Sequence, residues 1–380
     1  MALSRGDQNL ASAASKAPQR EMGFLAVLVI IWLIFAGLVT MDTGANGLAL
    51  LGLGTALGGV FLGAQYGFAS VWRNALETGS LMGLSGHFWL AGLCALVFLA
   101  APVFGLSAQP TLAPVSLSLI IGAFIFGIGM QLANGCGSGV LFNFGAGSGR
   151  MIFALPAFIV GSVIGSIMVP SALGWGSLGQ IAIGGALPDM ARWALNLGLL
   201  FGFSFILFTI AKKRGESVPK GLFVASIFIA ILCWAVFLLS GHPWGVTFGY
   251  TLWGAKLAAA AGVPISDFAF WQWAGPEQAL RHSVLANTSS VMNIGMIIGA
   301  ASLACWQNGL RKQNFPPRPQ IWAAILGGLI MGIGARLAFG CNIGAFLAGT
   351  ASGSLHGWLW FVMALGGSWV GITLRPRFGL

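Results

Sequence analysis

The chain is poor in charge. Of its 380 residues only 18 are Lys or Arg and 8 are Asp or Glu, 7% in all, where a soluble domain carries roughly 25%. A larger core cannot absorb that deficit, because a globular surface must still be solvated. A soluble enzyme and a disordered chain are excluded at this point. Tyr (2) and His (4) are also scarce, and no CxxC, HxxxH or acidic pair supplies a metal-ligand spacing. No Walker loop or GxGxxG is present, so energy from ATP would need another polypeptide, and the residues ask for no cofactor. The Cys residues number 5, an odd count and mostly inside apolar stretches, which is not the disulfide framework of a secreted scaffold.

What is abundant fits a membrane. Hydrophobic residues make up 57%, with 58 Gly, 15 Trp and 28 Phe. Glycine without a collagen period reads as close helix packing, and the aromatics suit interfacial belts and lipid-facing surfaces. The net charge of +10 is gathered in short clusters between apolar stretches, the positive-inside pattern of cytoplasmic loops rather than a nucleic-acid surface. The reading is an all-α polytopic integral membrane protein of the cell inner (cytoplasmic) membrane, in contact with lipid.

Residues 1–23 are polar and read as a cytoplasmic tail. Residues 24–41 are apolar and long enough to span, with no clear cleavage site after them, so they read as a first helix. Further apolar candidates are 47–66, 88–106, 115–135, 151–173, 192–211, 222–240, 244–262, 284–304, 321–340 and 357–374. A full span needs about 20 residues, and several of these are shorter or broken by Gly. The basic loops 212–220 and 311–319 and the tail RPRFGL all vote for the cytoplasm. Three candidates lie between the two loops, and an odd number of crossings cannot return to one side. One of the three must be partial or re-entrant, with its irregular backbone buried in protein.

An internal repeat organises the rest. Residues 119–139 lie over 323–344 at an offset of 205, with Gly122, Gly127, Gly129, Leu132, Ala133, Gly135, Cys136 and Gly139 falling on Gly327, Gly332, Gly334, Leu337, Ala338, Gly340, Cys341 and Gly344. By spacing, 24–41 pairs with 222–240, 47–66 with 244–262 and 88–106 with 284–304. The economical division is a first membrane repeat over 24–191, a linking helix and basic loop over 192–221, and a second repeat over 222–380. Paired, inverted repeats with Gly-broken or re-entrant helices in matching positions place a site at their interface, near the membrane midplane.

Cys136 and Cys341 are the sharpest feature of that repeat. Each stands in a GCxxG turn that ends an apolar helix. Gly135, Gly137 and Gly139 around the first, and Gly340, Asn342 and Gly344 around the second, let backbone and substrate approach closely. A helix starting after such a turn aims free N–H groups at an anion, and a thiol is soft, polarisable and cheaper to bury than a charge. The bland alternatives are packing and a disulfide between the two. Lys256 and Arg336 lie in apolar segments, where a charge is costly; either could attract an anion, snorkel to an interface or pair with a helix end. Cys94, Cys233 and Cys305 sit in plain apolar runs and read as packing; Arg73 and Arg150 read as loop anchors.

These motifs, with WGVTFGYTLWGAKLAAAAG (244–262), resemble the YeeE/YedE family of sulfur-transport membrane proteins over nearly the whole chain beyond the tail. The resemblance implies uptake of thiosulfate through an inner membrane by cysteines that hydrogen-bond the anion and hand it on, with Cys136 and Cys341 matching the two GC-motif cysteines. A further family cysteine lies in a Phe-Cys-Phe segment followed by Arg-Asp. The nearest stretch here is Tyr66-Gly67-Phe68, then Arg73-Asn74, with Gly67 in the cysteine's place. The expectation is a transporter, not an enzyme, for thiosulfate or a related small anionic sulfur species, with Cys136, Cys341, Gly67, Lys256 and Arg336 on its path. A selenium compound or another reduced sulfur species is the alternative substrate. A membrane thiol enzyme exchanging sulfur with a soluble cytoplasmic carrier is the remaining reading, and it would need a base or cation to activate a thiolate; no His lies beside either GC motif.

Overall fold

A computed structural model describes residues 5–307, 309–310 and 315–380, with side chains described from Met22 onward except at Lys220. The tail expected over 1–23 and the first part of the 311–319 loop therefore fall outside the described side chains. The fold is all-α. In chain order the helices are α1 (Arg5–Gly63), α2 (Phe68–Thr78), α3 (Met82–Phe98), α4 (Ala100–Val103), α5 (Leu117–Ala133), α6 (Gly137–Gly145), α7 (Met151–Leu173), α8 (Asp189–Lys213), α9 (Lys220–Ser240), α10 (Thr247–Ala260), α11 (Ala274–Arg281), α12 (Thr288–Trp306), α13 (Arg318–Leu337), α14 (Ala348–Ala351) and α15 (Leu355–Leu374). A π-helical turn, Asn342–Leu347, precedes α14, and a two-stranded ribbon pairs β1 (Pro114–Ser116) with β2 (Ser177–Gln180). Among the described residues, nine helical segments are long and apolar enough to cross a membrane.

The first of these is folded in two. At Gly44 the backbone turns to φ 69, ψ −155, and the Trp32 indole donates to the Thr55 hydroxyl at 2.9 Å. Twenty-three residues along a straight helix would separate them by about 34 Å. The two arms are the spans expected at 24–41 and 47–66, and the outward positions of the first arm, such as Ile30, Leu33 and Ile34, are exposed apolar residues, as a lipid-facing helix requires.

The centre of the molecule is a four-helix contact built on glycine. Helices α5 and α13 cross antiparallel with their backbones touching. A Cβ on Gly122 would lie 2.9 Å from the Gly334 carbonyl and one on Gly334 2.6 Å from that of Gly122; Gly129 and Gly327 meet in the same way, at 2.6 and 2.7 Å. Under the 205 offset these two contacts are the same contact exchanged between repeats, the signature of a pseudo-two-fold axis. The flanking helices obey it too. Gly161 of α7 lies against Leu329 of α13, and Gly367 of α15 lies against Phe124 of α5. The repeats are thus inverted and interlocked.

Helix α12 lies along the second arm of α1, through Gly54 on Met292 and Gly295 on Leu51, whereas α3 packs on both α8, through Gly92 on Phe201, and α9, where the Trp234 indole donates to the Leu93 carbonyl at 2.9 Å. From chain order we propose a pairing shifted by one element from that read off the spacing, with the second arm opposite α9 and α2 opposite α10, each of the short pair following directly. By the same order we place α8 opposite the first arm, inside the second half rather than as a linker over 192–221. The parity problem between the basic loops is resolved in α10: its 14 residues reach about 21 Å, short of the roughly 30 Å core, so it enters without crossing.

The glycine contacts carry a direct test. In Gly367→Ala the new methyl overlaps the Phe124 carbonyl, and the thermal midpoint of the detergent-purified protein should fall by the equivalent of about 1–3 kcal/mol. Gly52→Ala, which meets nothing within 4 Å, should leave it unchanged. Equal midpoints for the two variants would remove the close crossing as the organising contact.

Candidate functional site

Both repeats break their central helix in the same way. After α5 the chain takes Asn134 into the left-handed region (φ 61), and after α13 it takes Phe339 there (φ 60). Asn tolerates that conformation readily and Phe does not, so the second turn is held by its surroundings. Gly340 follows with φ 156, and a Cβ on it would come 2.8 Å from the Ala345 nitrogen, so this position requires glycine. The cysteines come next, both extended (φ −84, ψ −175 at Cys136; φ −112, ψ −165 at Cys341). Each carbonyl then accepts the first helical hydrogen bond, from Val140 and Ala345, both at 2.8 Å.

Each cysteine consequently stands at a helix start, where backbone N–H groups lack intrahelical partners, and the Cys136 side chain makes a capping hydrogen bond there whereas that of Cys341 does not. The Cys136 sulfur accepts from the Gly139 N–H at 3.3 Å and lies 3.4 Å from the Ser138 hydroxyl; the N–H groups of Ser138 and Phe68 also face it. The Cys341 sulfur is faced by the N–H groups of Gly344 and Ile343. Both thiols are buried and unbridged, and Gly137 lies between them. A Cβ on Gly137 would stand 2.9 Å from the Cys341 sulfur, while the Gly137 carbonyl is held by the Tyr250 hydroxyl at 2.8 Å. Glycine at 137 is what lets the backbone after one thiol touch the other.

Two vestibules converge on this pair. One, of about 230 Å³, is lined by Cys136, Gly135 and Gly139 together with Gly67, Arg73 and Asn134. It opens on a basic face: Arg73 donates to the Asn134 side chain at 2.6 Å, Arg375 to the Gln131 carbonyl at 2.6 Å, Arg150 to Gln320 at 2.5 Å and Arg214 to the Gly79 carbonyl at 2.9 Å. An acid woven into that face, Glu216, accepts from the Ser80 hydroxyl and from the N–H groups of Leu81 and Met82. Partial burial pushes its pKa up, but those hydrogen bonds and Arg214 outweigh it and hold the carboxyl below its ordinary value. The second vestibule, of about 460 Å³, opens opposite and is lined by Gly340, Gly344, Trp244, Thr247, Phe248 and Arg336 among others.

The residues singled out from sequence divide accordingly. Cys136 with Gly135, Gly137, Gly139 and Gly67 gather at the first vestibule and the thiol pair; Gly340, Gly344 and Arg336 line the second, with Cys341 and Asn342 buried in the same turn behind its lining. Gly67 is the N-cap of α2, extended at φ −110, ψ 122, and its side-chain direction is open apart from the Ser70 hydroxyl at 2.9 Å. Lys256 is not brought to either vestibule. Its ammonium donates to the Leu280 carbonyl at 2.8 Å, tying the end of α10 to α11. Arg73 and Asn134 were not legible as site residues; the only signal was the place of Arg73 in the stretch after Gly67. Cys94 and Cys233 pair with one another between α3 and α9, away from both vestibules. Among the described residues no cluster of His, Cys, Asp and Glu could hold a metal.

Comparison with known proteins gives a consistent picture. The family model described as "Sulphur transport" matches residues 63–370. The chain is 36% identical over 156 residues to the "Probable transporter YedE" of Escherichia coli, covering 40% of this chain and 38% of that protein. It is 29% identical over 269 residues to the "Thiosulfate transporter TsuA" of Spirochaeta thermophila, covering 66% of this chain and 75% of that one. To the Escherichia coli protein of the same name it is 24% identical over 290 residues, with 69% and 76% covered. The match thus spans 38% of the length of the YedE relative.

Geometry separates two glycines that the motif and the resemblance treat alike. Gly67→Cys should fold with a thermal midpoint within about 0.5 kcal/mol equivalent of the parent, because an extended residue accepts a side chain. Gly340→Ala should lose about 1–3 kcal/mol from backbone strain. A tolerated Gly340→Ala would show that the turn before Cys341 is not shaped as described.

Proposed function

The chain belongs to the sulphur-transport family, and on that premise we propose that it carries thiosulfate, or a closely related small sulfur anion, inward across the cytoplasmic membrane. The observation that carries the proposal is the meeting of Cys136 and Cys341 across Gly137 between two vestibules that open on opposite faces. The face bearing Arg73, Arg150, Arg214 and Arg375 is assigned to the cytoplasm by the positive-inside rule. The relatives named as thiosulfate transporters support the choice of substrate.

The physical difficulty of such a task is desolvation, since a bare dianion in a medium of low dielectric costs many kcal/mol. Each thiol station answers it without a fixed charge. The S–H is a weak donor and the sulfur is polarisable, while the N–H groups at the start of α6 and of the π turn supply oriented positive dipole. An anion moving from one station to the next trades one set of N–H and S–H donors for an equivalent set. No bond forms or breaks. The groups facing the two sulfurs are N–H donors, the Ser138 and Tyr250 hydroxyls, a cation and each other, and the relatives named as transporters favour relay over thiol catalysis. The substrate contacts under this reading are Cys136, Cys341 and the glycines beside them, with Gly67 at the cytoplasmic mouth.

The test is uptake of radiolabelled thiosulfate at matched membrane levels of protein. Cys136→Ala and Cys341→Ala should each lower the initial rate at least tenfold, by rough analogy with losing a charge-assisted hydrogen bond, and Ser should restore part of it. Cys94→Ala and Cys233→Ala should keep most of the rate. Normal uptake by either alanine variant at 136 or 341 removes the relay.

A further inference from the structure

Between the two vestibules the path is shut. A Cβ on Gly137 would stand 2.9 Å from the Cys341 sulfur and 3.1 Å from its Cβ, so backbone and thiol are in contact and no anion fits between them. Passage from one thiol to the other requires this peptide to give way. A hydroxyl from a third element holds it in place: Tyr250 of α10 donates to the Gly137 carbonyl at 2.8 Å. The phenol is fully buried and faces both sulfurs, yet it lines neither vestibule. It stands at the closure itself.

The bond is more than the acceptor needs. Gly137 opens α6, so its carbonyl is also placed to accept along the helix, and a carbonyl oxygen has two lone pairs. Losing Tyr250 leaves that carbonyl paired. The donor is in the opposite position, because a buried O–H needs an acceptor at all times. It can leave Gly137 only when another acceptor arrives, and an anion forms a stronger bond than a neutral carbonyl. The exchange asks for no swing of the ring, which is packed 4.9 Å from the Phe158 ring and 5.8 Å from that of Trp253 between centroids; the hydroxyl hydrogen turns about the C–O bond. The chain's other tyrosine makes a natural contrast. Tyr66 is also buried and also donates to a glycine carbonyl, that of Gly86 at 3.2 Å, but it lies beside Cys94 and Cys233.

We propose that Tyr250 is the hand-over donor of the path: its hydroxyl pins the Gly137 peptide across the closure in the empty protein, and gives its hydrogen bond to the anion as the anion passes between Cys341 and Cys136. This rests on the transport reading above and adds the group that makes opening of the closure depend on the substrate. The proton stays on the phenol throughout. Each thiol serves its own station, and the hydroxyl covers the interval between them, where an anion stripped of water has fewest donors. Since the phenol touches neither vestibule, it acts on the transfer step and leaves entry alone.

Initial rates of radiolabelled thiosulfate uptake would be measured in proteoliposomes over a range of thiosulfate, for the parent, Tyr250→Phe and Tyr66→Phe, at matched protein. Both variants keep the ring and remove one hydroxyl bonded to a glycine carbonyl. In Tyr250→Phe the maximal rate should fall at least about tenfold, the loss expected for one hydrogen bond to a charged group, with the KM within about twofold of the parent. Tyr66→Phe should keep the parent's maximal rate. A second readout uses Tyr66→Phe as background, in which Tyr250 is the one tyrosine left in the chain. With tyrosine isotopically labelled at the ring carbon bearing the hydroxyl, its single NMR signal should move when thiosulfate is added, a result that does not require Tyr250→Phe to fold. An unchanged maximal rate in Tyr250→Phe, an equal fall in Tyr66→Phe, or a signal that thiosulfate leaves in place overturns the hand-over role and leaves the thiol relay standing. Absence of thiosulfate uptake in the parent overturns the transport reading, and the hand-over role with it.

Discussion

Direct contact between the backbones of α5 and α13 is the constraint on which the other features depend. In lipid there is no hydrophobic drive between helices, so association relies on close packing. Small residues at 122, 129, 327 and 334 bring the two helices near enough for each Cβ position to abut the other's carbonyl. Because both helices end in a Gly-Cys turn, fixing their crossing also fixes where the turns meet. A side chain at any of those glycines would hold the helices apart, and the separation would be felt most at Gly137, whose backbone touches the opposite thiol. The path between the vestibules is thus set by helix packing some turns away from it.

Breaking a helix inside a membrane exposes backbone groups that lipid cannot satisfy. Here the break is enclosed by protein, and the exposed N–H groups are put to use. Those of Gly139 and Ser138 turn to the Cys136 sulfur, and those of Gly344 and Ile343 to that of Cys341. Thiols are suited to this place because they accept such bonds weakly. A hydroxyl or carboxylate would bind the N–H groups more firmly, and a passing anion could displace it only at greater cost.

Most of the fold was legible because apolar length and glycine spacing are written in order along the chain. The spans at 151–173 and 222–240 fall within two residues of α7 and α9, and the offset of 205 located the contact that builds the centre. The outer pairing was less legible. Helix α12 has close glycine contacts with α1, but α3 meets both α8 and α9, largely through residues such as Phe201, Trp234 and Leu222 that carry no repeat signature, so the pairing of the outer spans rests on chain order. The place of Lys256 was not legible for a physical reason. Its apolar surroundings belong to a short helix whose end lies at the surface, where a lysine reaches a free carbonyl, and hydropathy alone does not distinguish that from a charge at the midplane. Arg73 was obscured by the reverse circumstance: a loop arginine by sequence, it is drawn to the thiol vestibule by Asn134 from a distant segment.

The inverted repeat explains why divergence between its copies is informative. Two copies joined by a pseudo-two-fold axis share one crossing and one turn, so positions that serve the fold stay alike in both: the crossing glycines and the cysteines themselves, while the left-handed position before each turn keeps its conformation with Asn134 in one copy and Phe339 in the other. A transporter, however, faces different conditions at its two mouths. It must draw a hydrated dianion out of water at one end and let it go at the other. Residues free of the shared geometry can specialise for that difference, and the pairs Gln131 with Arg336 and Gly137 with Asn342 are places where the two copies diverge in side-chain chemistry. On the basic face the positive charge comes instead from Arg73 and Arg375, which lie outside the motif and are already bonded to Asn134 or to the Gln131 carbonyl. Donors already engaged attract an anion from a distance but hold it less firmly than the unpaired Nε of Arg336. Under the proposed transport reading, an anion entering by the guanidinium would move toward a face of long-range attraction and weaker grip, an arrangement in which a path binds at one end and releases at the other.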